Sequence, residues 1–401
     1  MGTDDVREMV NKLHAARLGQ EEIDEVMKVL REGKLSALSS ERVSEFEKKF
    51  AEYNHSKYAI AVTSGTAALH CALAACGIGC GDEVIIPAFS FPALPFAVLY
   101  QNGLPIFVDI DMVSYCIDVD KIEAEITEKT KAIIAVHLFG HPADMKRIGE
   151  IAEKHDLFVI EDCAHAHGAE IHGRKVGTFG NIGCFSFQEY KIMTTAEGGM
   201  AITDDEELAL RLKEVAHMSK FDYDHLSYSY RMDAVRAAIG IAQLKRLDSL
   251  IKRRNEVAKR YSDQLEGFLV VPTIKKGYKS CFSYYACRAF GEHARNRIFD
   301  ELLKAGVPVI VFHDRSLNQM SIFRRSDNVC LFECPHLSLE HLVRNRDTRF
   351  QNSEKFAKEH LLFPISAGLD DEIVNMIIQK TKKVVNNIKL ESTVPLCTCP
   401  I

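Results

Sequence analysis

Between Lys57 and Thr203 the chain carries a succession of short, mainly apolar runs: KYAIAVT, DEVIIPAF, LPIFVDI, KAIIAVHLF, LFVIED, IGCFSF and GGMAIT. Helical patterns such as GTAALHCALAAC and ADMKRIGEIAEKH separate several of them. Strands apolar on both faces need cover on both faces, and crossover helices between them make the pairing parallel. The pattern therefore predicts an α/β architecture, a largely parallel sheet covered by helices. The gap between GCFSF and GGMAIT is too short for a crossover helix, so those two runs are expected to pair antiparallel. In such sheets ligands collect at the carboxyl ends of the strands, where Ser90, His137, Asp162 and Ser186 fall.

Beyond the sheet, Asp204 to Lys220 reads as a helical segment and FDYDHLSYSYRMD as a polar aromatic loop. The stretch AVRAAIGIAQLKRLDSLIKRRNEVAKRYSDQLEGF then reads as one long helix with room for a break. It leads into a smaller lobe of mixed strands and helices from about Gly267. The expected division is an N-terminal arm and large domain over 1–255, and a small C-terminal α+β domain over 256–401.

Composition bounds the function. With 401 residues the chain can bury a sizeable core in two lobes. A net charge of −6 and the lack of a long basic block argue against nucleic acid or an anionic membrane as partner. The opening MGTDDVREMV is acidic and has no apolar core, so no secretory signal is expected. Val6 and Thr398 stand where myristoylation and prenylation motifs need other residues. No run approaches the ~20 apolar residues of a membrane span. These features predict a soluble, cytoplasmic protein. Among the 12 cysteines, most lie in apolar surroundings, as reduced buried thiols do. Cys330-x3-Cys334-x-His336 and Cys397-x-Cys399 lack zinc-site spacing, and no metal is expected.

The stretch from Phe158 to Thr203 carries the chemistry. Asp162 ends the run LFVIED, where a buried carboxylate is costly unless it is paired. A protonated ring nitrogen is one partner; capping the next segment is the plainer use. Lys191, in SFQEYKIMTT, lies beside Tyr190 and the apolar Ile192-Met193, which lowers the amine's pKa and frees it for imine formation. An acid that keeps a ring nitrogen protonated and an amine that forms a Schiff base are what pyridoxal 5′-phosphate asks of a protein. Thr63-Ser64-Gly65-Thr66 precedes the helix AALHCALAA, so its N–H groups can cradle that cofactor's phosphate; alone, Ser64 or Thr66 would read as a helix cap. Ser186 can add a hydroxyl to the phosphate. His165 can lie against the ring or its phenolic oxygen. Phe91 offers a ring for stacking, or is simply core. His165, His167 and His172 fit no common metal spacing. Gly77-x-Gly79-x-Gly81 follows a helix and precedes a strand, the wrong order for a dinucleotide loop.

From about Leu18 through the C-terminal lobe the sequence resembles the DegT/DnrJ/StrS family of sugar aminotransferases. The resemblance rests on VSEFEKKFAEY, SGTAAL, GDEVIIPAFSF, PIFVDID, KTKAIIAVHLFGHPADM, VIEDCAHAHGA, GTFGNIGCFSF, EGGMAIT and YRMDAVRAAIGIAQL, in that order. It implies the three-layer fold type I of pyridoxal phosphate-dependent transferases, with a mixed, mostly parallel sheet. It further implies Lys191 as Schiff-base lysine and Asp162 as pyridinium partner. Gly65, Thr66 and Ser186 would hold the phosphate, with Phe91 on the ring and His165 where Gln or His is usual. Family members are typically homodimers whose sites are completed by the partner chain. There the sequence departs: Ser229-Tyr230-Arg231-Met232 stands where Asn-x-Arg-Met is usual, the Asn reaching the neighbour's phosphate, and a serine is shorter. Ala196 replaces a common Gly, and His141 a frequent Gln. A dehydratase branch carries His in place of the lysine, so Lys191 favours transamination.

The implied reaction moves an amino group from glutamate or glutamine to a nucleotide-linked keto-sugar or a keto-cyclitol. The wording EDCAHAHGA and FSFQxxK is closest to the cyclitol and aminohydroxybenzoate branch. Three alternatives stand beside it: an aminohydroxybenzoate synthase-like enzyme, a non-catalytic cofactor-binding regulator, and a cofactor-free Schiff-base lyase.

Overall fold

The computed structural model describes residues 18–218, 226–324, 345 and 347–393, the side chains of 389–393 excepted. The strands are β1 (Tyr58–Val62), β2 (Glu83–Pro87), β3 (Leu104–Val108), β4 (Thr130–Val136), β5 (Phe158–Asp162), β6 (Glu170–Ile171), β7 (Arg174–Lys175), β8 (Ile182–Ser186), β9 (Gly199–Thr203), β10 (Tyr278–Lys279), β11 (Tyr285–Arg288) and β12 (His360–Phe363). One sheet of 7 strands has the order β1-β9-β8-β5-β4-β2-β3. Neighbours from β8 to β3 run parallel, whereas β9 runs antiparallel to both β8 and β1. This is the mixed, mostly parallel sheet the sequence predicts, including its antiparallel β8–β9 pair. Every residue of β2, β8 and β9 is buried, as strands covered on both faces must be.

Alternation along β8 shows how the two faces are filled. Phe185 turns to one side, where Phe50 from α2 (Arg42–Asn54) meets it edge-on at 5.0 Å between centroids. Ser186 turns to the other and lies under the first turn of α3 (Gly65–Ala75). Helix α4 (Ala93–Tyr100) packs on α3 and β3, and α5 (Met145–His155) on β4 and β5. Helix α6 (Glu206–Ala216) is shorter than the Asp204–Lys220 segment read from sequence: Asp205 caps its start by accepting from Leu208 N at 3.0 Å, and it ends at Ala216. Residues 219 and 220 lie outside the described residues.

The long helix α7 (Ala234–Leu265) runs unbroken for 32 residues from its cap Asp233. It crosses between two hydrophobic cores. Ala237, Ile241, Leu247 and Ile251 belong to the core around the large sheet. Val257, Ala258, Tyr261 and Leu265 belong to a second one, with β11, β12, α8 (Glu292–Lys304) and the helix Asp371–Thr393. Later parts of the chain return to the first core: Leu317, Phe323, Phe350 and Phe356 pack there, the last on α9 (Gln351–Glu359). Among the described residues no helix is long and apolar enough to cross a membrane.

Asp109, just past β3, ties that return in place. Its carboxylate accepts from Ser353 N at 2.8 Å, Ser353 Oγ at 2.7 Å and Asn352 N at 3.0 Å, all in the first turn of α9. Lys121 Nζ approaches at 3.2 Å from the solvent side. Burial raises the carboxyl's pKa, but these hydrogen bonds outweigh it and hold it below the usual range. A helix N-terminus favours an anion for the same reason. Asp109→Asn is expected to cost roughly 1.5–3 kcal/mol of stability in urea unfolding at neutral pH. A depressed carboxylate stabilises the fold above its unfolded pKa and loses that contribution as pH falls through its folded value. The gap between parent and variant should therefore close on acidification below about pH 4.

Candidate active site

A cavity of ≈ 340 Å³ opens at the carboxyl edge of the large sheet. Strands β1, β2, β4, β5 and β8 deliver residues to it as they end. Ser64, Gly65 and Thr66 follow β1; Ser90 and Phe91 follow β2; Val136 closes β4, Asp162 closes β5 and Ser186 closes β8. His165 and Lys191 complete the set on the loops beyond β5 and β8. Of the site residues read from sequence, all but Ser229 and the strand-end His137 line this one cavity. Ser229 lies away from it, its Oγ accepting from Arg231 Nη2 of the same chain at 3.1 Å.

Ser64 caps α3, its Oγ accepting from Ala67 N at 3.1 Å, so the plainer reading of that residue holds as well. The cradle around it is built by close backbone approach. A Cβ on Gly65 would stand 2.6 Å from Ser186 Cβ, and one on Gly199 would stand 2.2 Å from Ser64 O. Only glycine lets the N-terminus of α3, β8 and β9 converge so tightly, which leaves the helix's positive end and the Ser186 hydroxyl facing one space.

Asp162 is fixed by the sheet: it pairs with Val136 on β4 and Cys184 on β8. Burial raises its pKa, opposed by the Ala164 amide, which donates at 3.0 Å, then by Lys191 and His137. A carboxyl so placed ionises against a nearby cation and otherwise stays protonated. Lys191 shows the opposite shift. Burial lowers its amine from 10.5 to about 8, and the charge of Asp162 pulls it back up. His165 is held well below its usual range by burial, then by Lys191 and His167, and is therefore neutral. Its ring stacks on Phe139 at 6.1 Å and meets Tyr284 and Phe312 edge-on at 5.3 and 5.8 Å.

Phe91 is 53% exposed, so it is no core residue; its ring flanks the cavity 6.2 Å from Phe312. Tyr284 and Phe312 themselves line the cavity and come from the C-terminal part of the chain. Sequence reasoning missed both, since neither sits in a motif. Gln188, Tyr190 and Glu197 also line it, and their place on either side of Lys191 was the available signal.

The other histidines do other work. His167 is buried against Phe185 and Phe187, and burial takes it down to about 3. His172 stands between β6 and β7, away from His165 and His167. Among the described residues the one cluster with metal-ligand geometry is His137, Glu161 and Cys163. Glu161 is already engaged there: it accepts from His137 Nε2 at 2.9 Å and from the amides of Gly177, Phe179 and Gly180 at 2.6–2.8 Å. Backbone donors aimed at a carboxylate leave poor room for a cation, so the cluster braces β5 from its far face.

Comparison with known proteins agrees with this geometry. The DegT/DnrJ/EryC1/StrS aminotransferase family pattern matches residues 16–382. GDP-perosamine synthase of Escherichia coli O157:H7 is 43% identical over 274 residues, covering 65% of this chain and 74% of that protein. L-glutamine:2-deoxy-scyllo-inosose aminotransferase of Streptomyces kanamyceticus is 40% identical over 255 residues, 58% of this chain and 60% of that one. Among solved structures, the PMP form of a putative sugar aminotransferase from Streptococcus pneumoniae superposes with a TM-score of 0.84 at 27% identity, over 94% of this chain and 98% of that one.

The opposed shifts of Lys191 and Asp162 are open to measurement in cofactor-free protein. Acetylation followed by peptide mass spectrometry should show Lys191 reacting with a midpoint near pH 8, while ordinary lysines respond only toward about pH 10. Because the negative charge of Asp162 raises the amine's pKa, Asp162→Asn should move that midpoint lower. A midpoint that stays put or rises in the variant would show the two groups are not coupled.

Proposed function

Since the chain belongs to the DegT/DnrJ/EryC1/StrS aminotransferase family, we propose that it transfers an amino group from glutamate or glutamine to a keto-sugar, nucleotide-linked, or to a keto-cyclitol, with pyridoxal 5′-phosphate as cofactor. The observation that carries this reading is a buried carboxylate and a lysine of lowered pKa in one cavity, beside a helix N-terminus. The donor set fits the cofactor. The α3 N-terminus with Ser64, Gly65, Thr66 and Ser186 offers N–H and hydroxyl groups to a phosphate. The cavity volume lies in the range of ordinary cofactor pockets.

When bound, the cofactor supplies an aldehyde that carries the amino group and a ring that withdraws electrons from the reacting carbon. The chain's own residues supply the rest. Asp162 holds a proton on the ring nitrogen. The pairing gives its buried carboxylate the cation it needs. Phe91 would cover one face of the ring, and neutral His165 would serve as a hydrogen-bonding neighbour held rigid by its aromatic surroundings. Lys191 Nζ would hold the aldehyde at rest. With its pKa lowered to about 8, a free Lys191 amine would be largely neutral only above that pH, and could there take up the proton from the donor's α-carbon.

The acceptor class follows the relatives. The Escherichia coli protein is named for GDP-perosamine and the Streptomyces protein for 2-deoxy-scyllo-inosose, so sugar and cyclitol ketones are the class we assign here. We further propose a cytoplasmic homodimer with neither nucleic acid nor membrane as partner. The surface position of Ser229 is compatible with its facing the partner subunit. The large domain is taken as 1–255 and the small one as 256–401, which divides α7 between its two cores.

Purified protein supplied with pyridoxal 5′-phosphate should show a visible absorbance band that bleaches on adding glutamate or glutamine and returns on adding a keto-sugar or inosose. Lys191→Ala should abolish the band, and Asp162→Asn should keep the fold while cutting turnover by about 10²-fold or more. A band that glutamate and glutamine leave unchanged would mark a non-catalytic regulator, and no band at all a cofactor-free enzyme.

A further inference from the structure

Three rings of the cavity wall, His165, Tyr284 and Phe312, share a fourth that the reaction just described does not use. Phe139, just past β4, is buried behind them. Its ring lies parallel to the His165 imidazole, with 9° between planes and 6.1 Å between centroids. It meets Tyr284 at 5.9 Å and Phe312 at 5.4 Å, both edge-on. Those three rings also touch one another: His165 meets Tyr284 at 5.3 Å and Phe312 at 5.8 Å, and Tyr284 lies 6.2 Å from Phe312. Each ring of the four thus contacts the other three. Contacts of these geometries fix the planes of rings as well as burying their area.

Phe139 reaches this place at a cost to its backbone. It stands at φ +57°, in the left-handed region, where a bulky side chain is rare. Gly140 follows at φ +91°, and a Cβ on it would stand 2.6 Å from Cys281 Sγ and 3.0 Å from His165 O. Such a conformation persists only where its surroundings over-determine it. Here a segment remote in sequence does so. Tyr284 N donates to Phe139 O at 3.4 Å, while Gly140 O accepts from Cys281 N at 3.2 Å and Ser280 Oγ at 2.9 Å. Cys281 Sγ donates to His165 O at 3.2 Å. The 138–140 turn, His165 and the 280–284 segment are therefore one hydrogen-bonded unit, with the Phe139 ring at its centre.

A plain core role would ask only for apolar volume here. It needs neither a left-handed backbone nor a ring held flat against an imidazole of the cavity wall. That imidazole has direction: a neutral histidine carries one N–H donor and one acceptor nitrogen, so its plane decides where each points. Tyr284 and Phe312 brace it edge-on, and Phe139 lies along its face. We infer that Phe139 is a positioning residue acting through His165: its ring sets the plane of that imidazole, and with it the direction of the nitrogen offered to the cofactor. This rests on the aminotransferase reading, and within it on the cofactor. Phe139 itself touches neither cofactor nor substrate; it keeps the polar neighbour in register.

The test compares parent protein with Phe139→Leu and with Phe139→Met, which fills the space more adaptably but also lacks a flat face. Titration with pyridoxal 5′-phosphate, followed by the visible band, gives the cofactor's Kd. Circular dichroism of that band reports how fixed the bound ring is. Both variants should weaken Kd by about tenfold and lose at least about half of the dichroism. Bleaching by saturating glutamate or glutamine should slow about tenfold, with the half-saturating donor concentration nearly unchanged. In the His165→Gln background the same changes should cost less than about threefold, because the group they act through is gone. Phe323→Leu removes a buried ring that meets Phe107 elsewhere in the same core, and should lower Tm without these losses. Parental affinity and dichroism in both Phe139 variants overturn the inference and leave the aminotransferase reading standing. Equal losses in the His165→Gln background, or in Phe323→Leu, do the same. A band that neither donor bleaches fails the aminotransferase reading alone, since affinity and dichroism still test Phe139. A parent that forms no band overturns both.

Discussion

The structure depends on holding a carboxylate, nearly buried, at the end of a central strand. Asp162 occupies that place because β5 lies between β4 and β8, and the register Val136↔Asp162↔Cys184 fixes its height. The residue before it makes this possible. Glu161 points to the other face of the sheet and takes hydrogen bonds from His137 and from three amides of the 177–180 turn. Consecutive acids on one strand thus have opposite fates. One is satisfied by the fold and braces it, and the other is left needing a cation that the chain itself does not fully provide.

Around that group the C-terminal half is drawn in by a few polar anchors rather than by apolar packing alone. Asp109 seats the first turn of α9. Arg254, buried on α7, donates to the carbonyls of Phe282 and Ser283 at 3.1 Å each, and Cys281 Sγ donates to His165 O at 3.2 Å. Phe282 itself lies at φ +45°. The outcome is that Tyr284 reaches the cavity from a segment remote in sequence. Phe312 does so by donating its amide to His360 Nε2 at 2.9 Å. His360 is neutral, its pKa taken down to about 4 mainly by burial, so it has the free ring nitrogen that this bond needs.

What could be read from sequence follows from this division. The sheet was legible because its strands are apolar on both faces and punctuated by helices, a local signal repeated along the chain. Asp162, Ser186 and Lys191 were legible because strand ends are where such sheets place their chemistry, and each lies at or just beyond one. Phe91 left two readings open, since an aromatic after a strand serves a core or a site equally well; its exposure rules out the core. Tyr284 and Phe312 were not legible. They arrive through hydrogen bonds to carbonyls and a histidine distant in sequence, and nothing in their local pattern distinguishes them from other aromatics. The continuity of α7 was left open by the sequence: its two stretches bury their apolar residues in different cores, so the pattern along it shifts without the helix breaking.

Lys191 and Asp162 show why such chemistry needs an enclosed site. Burial moves both toward neutrality, the acid upward and the amine downward, and each one's charge opposes the other's shift. With no other cation beside Asp162, its charge still works against the lowering of the Lys191 amine. If Asp162 instead had its cation from a protonated ring nitrogen, its pull on the Lys191 amine would be relieved and burial would lower that amine further. The same enclosure that makes the carboxylate demanding therefore frees the lysine to act as a base. Moving either group out into water would remove the shift of both, and the division of labour between them would be lost.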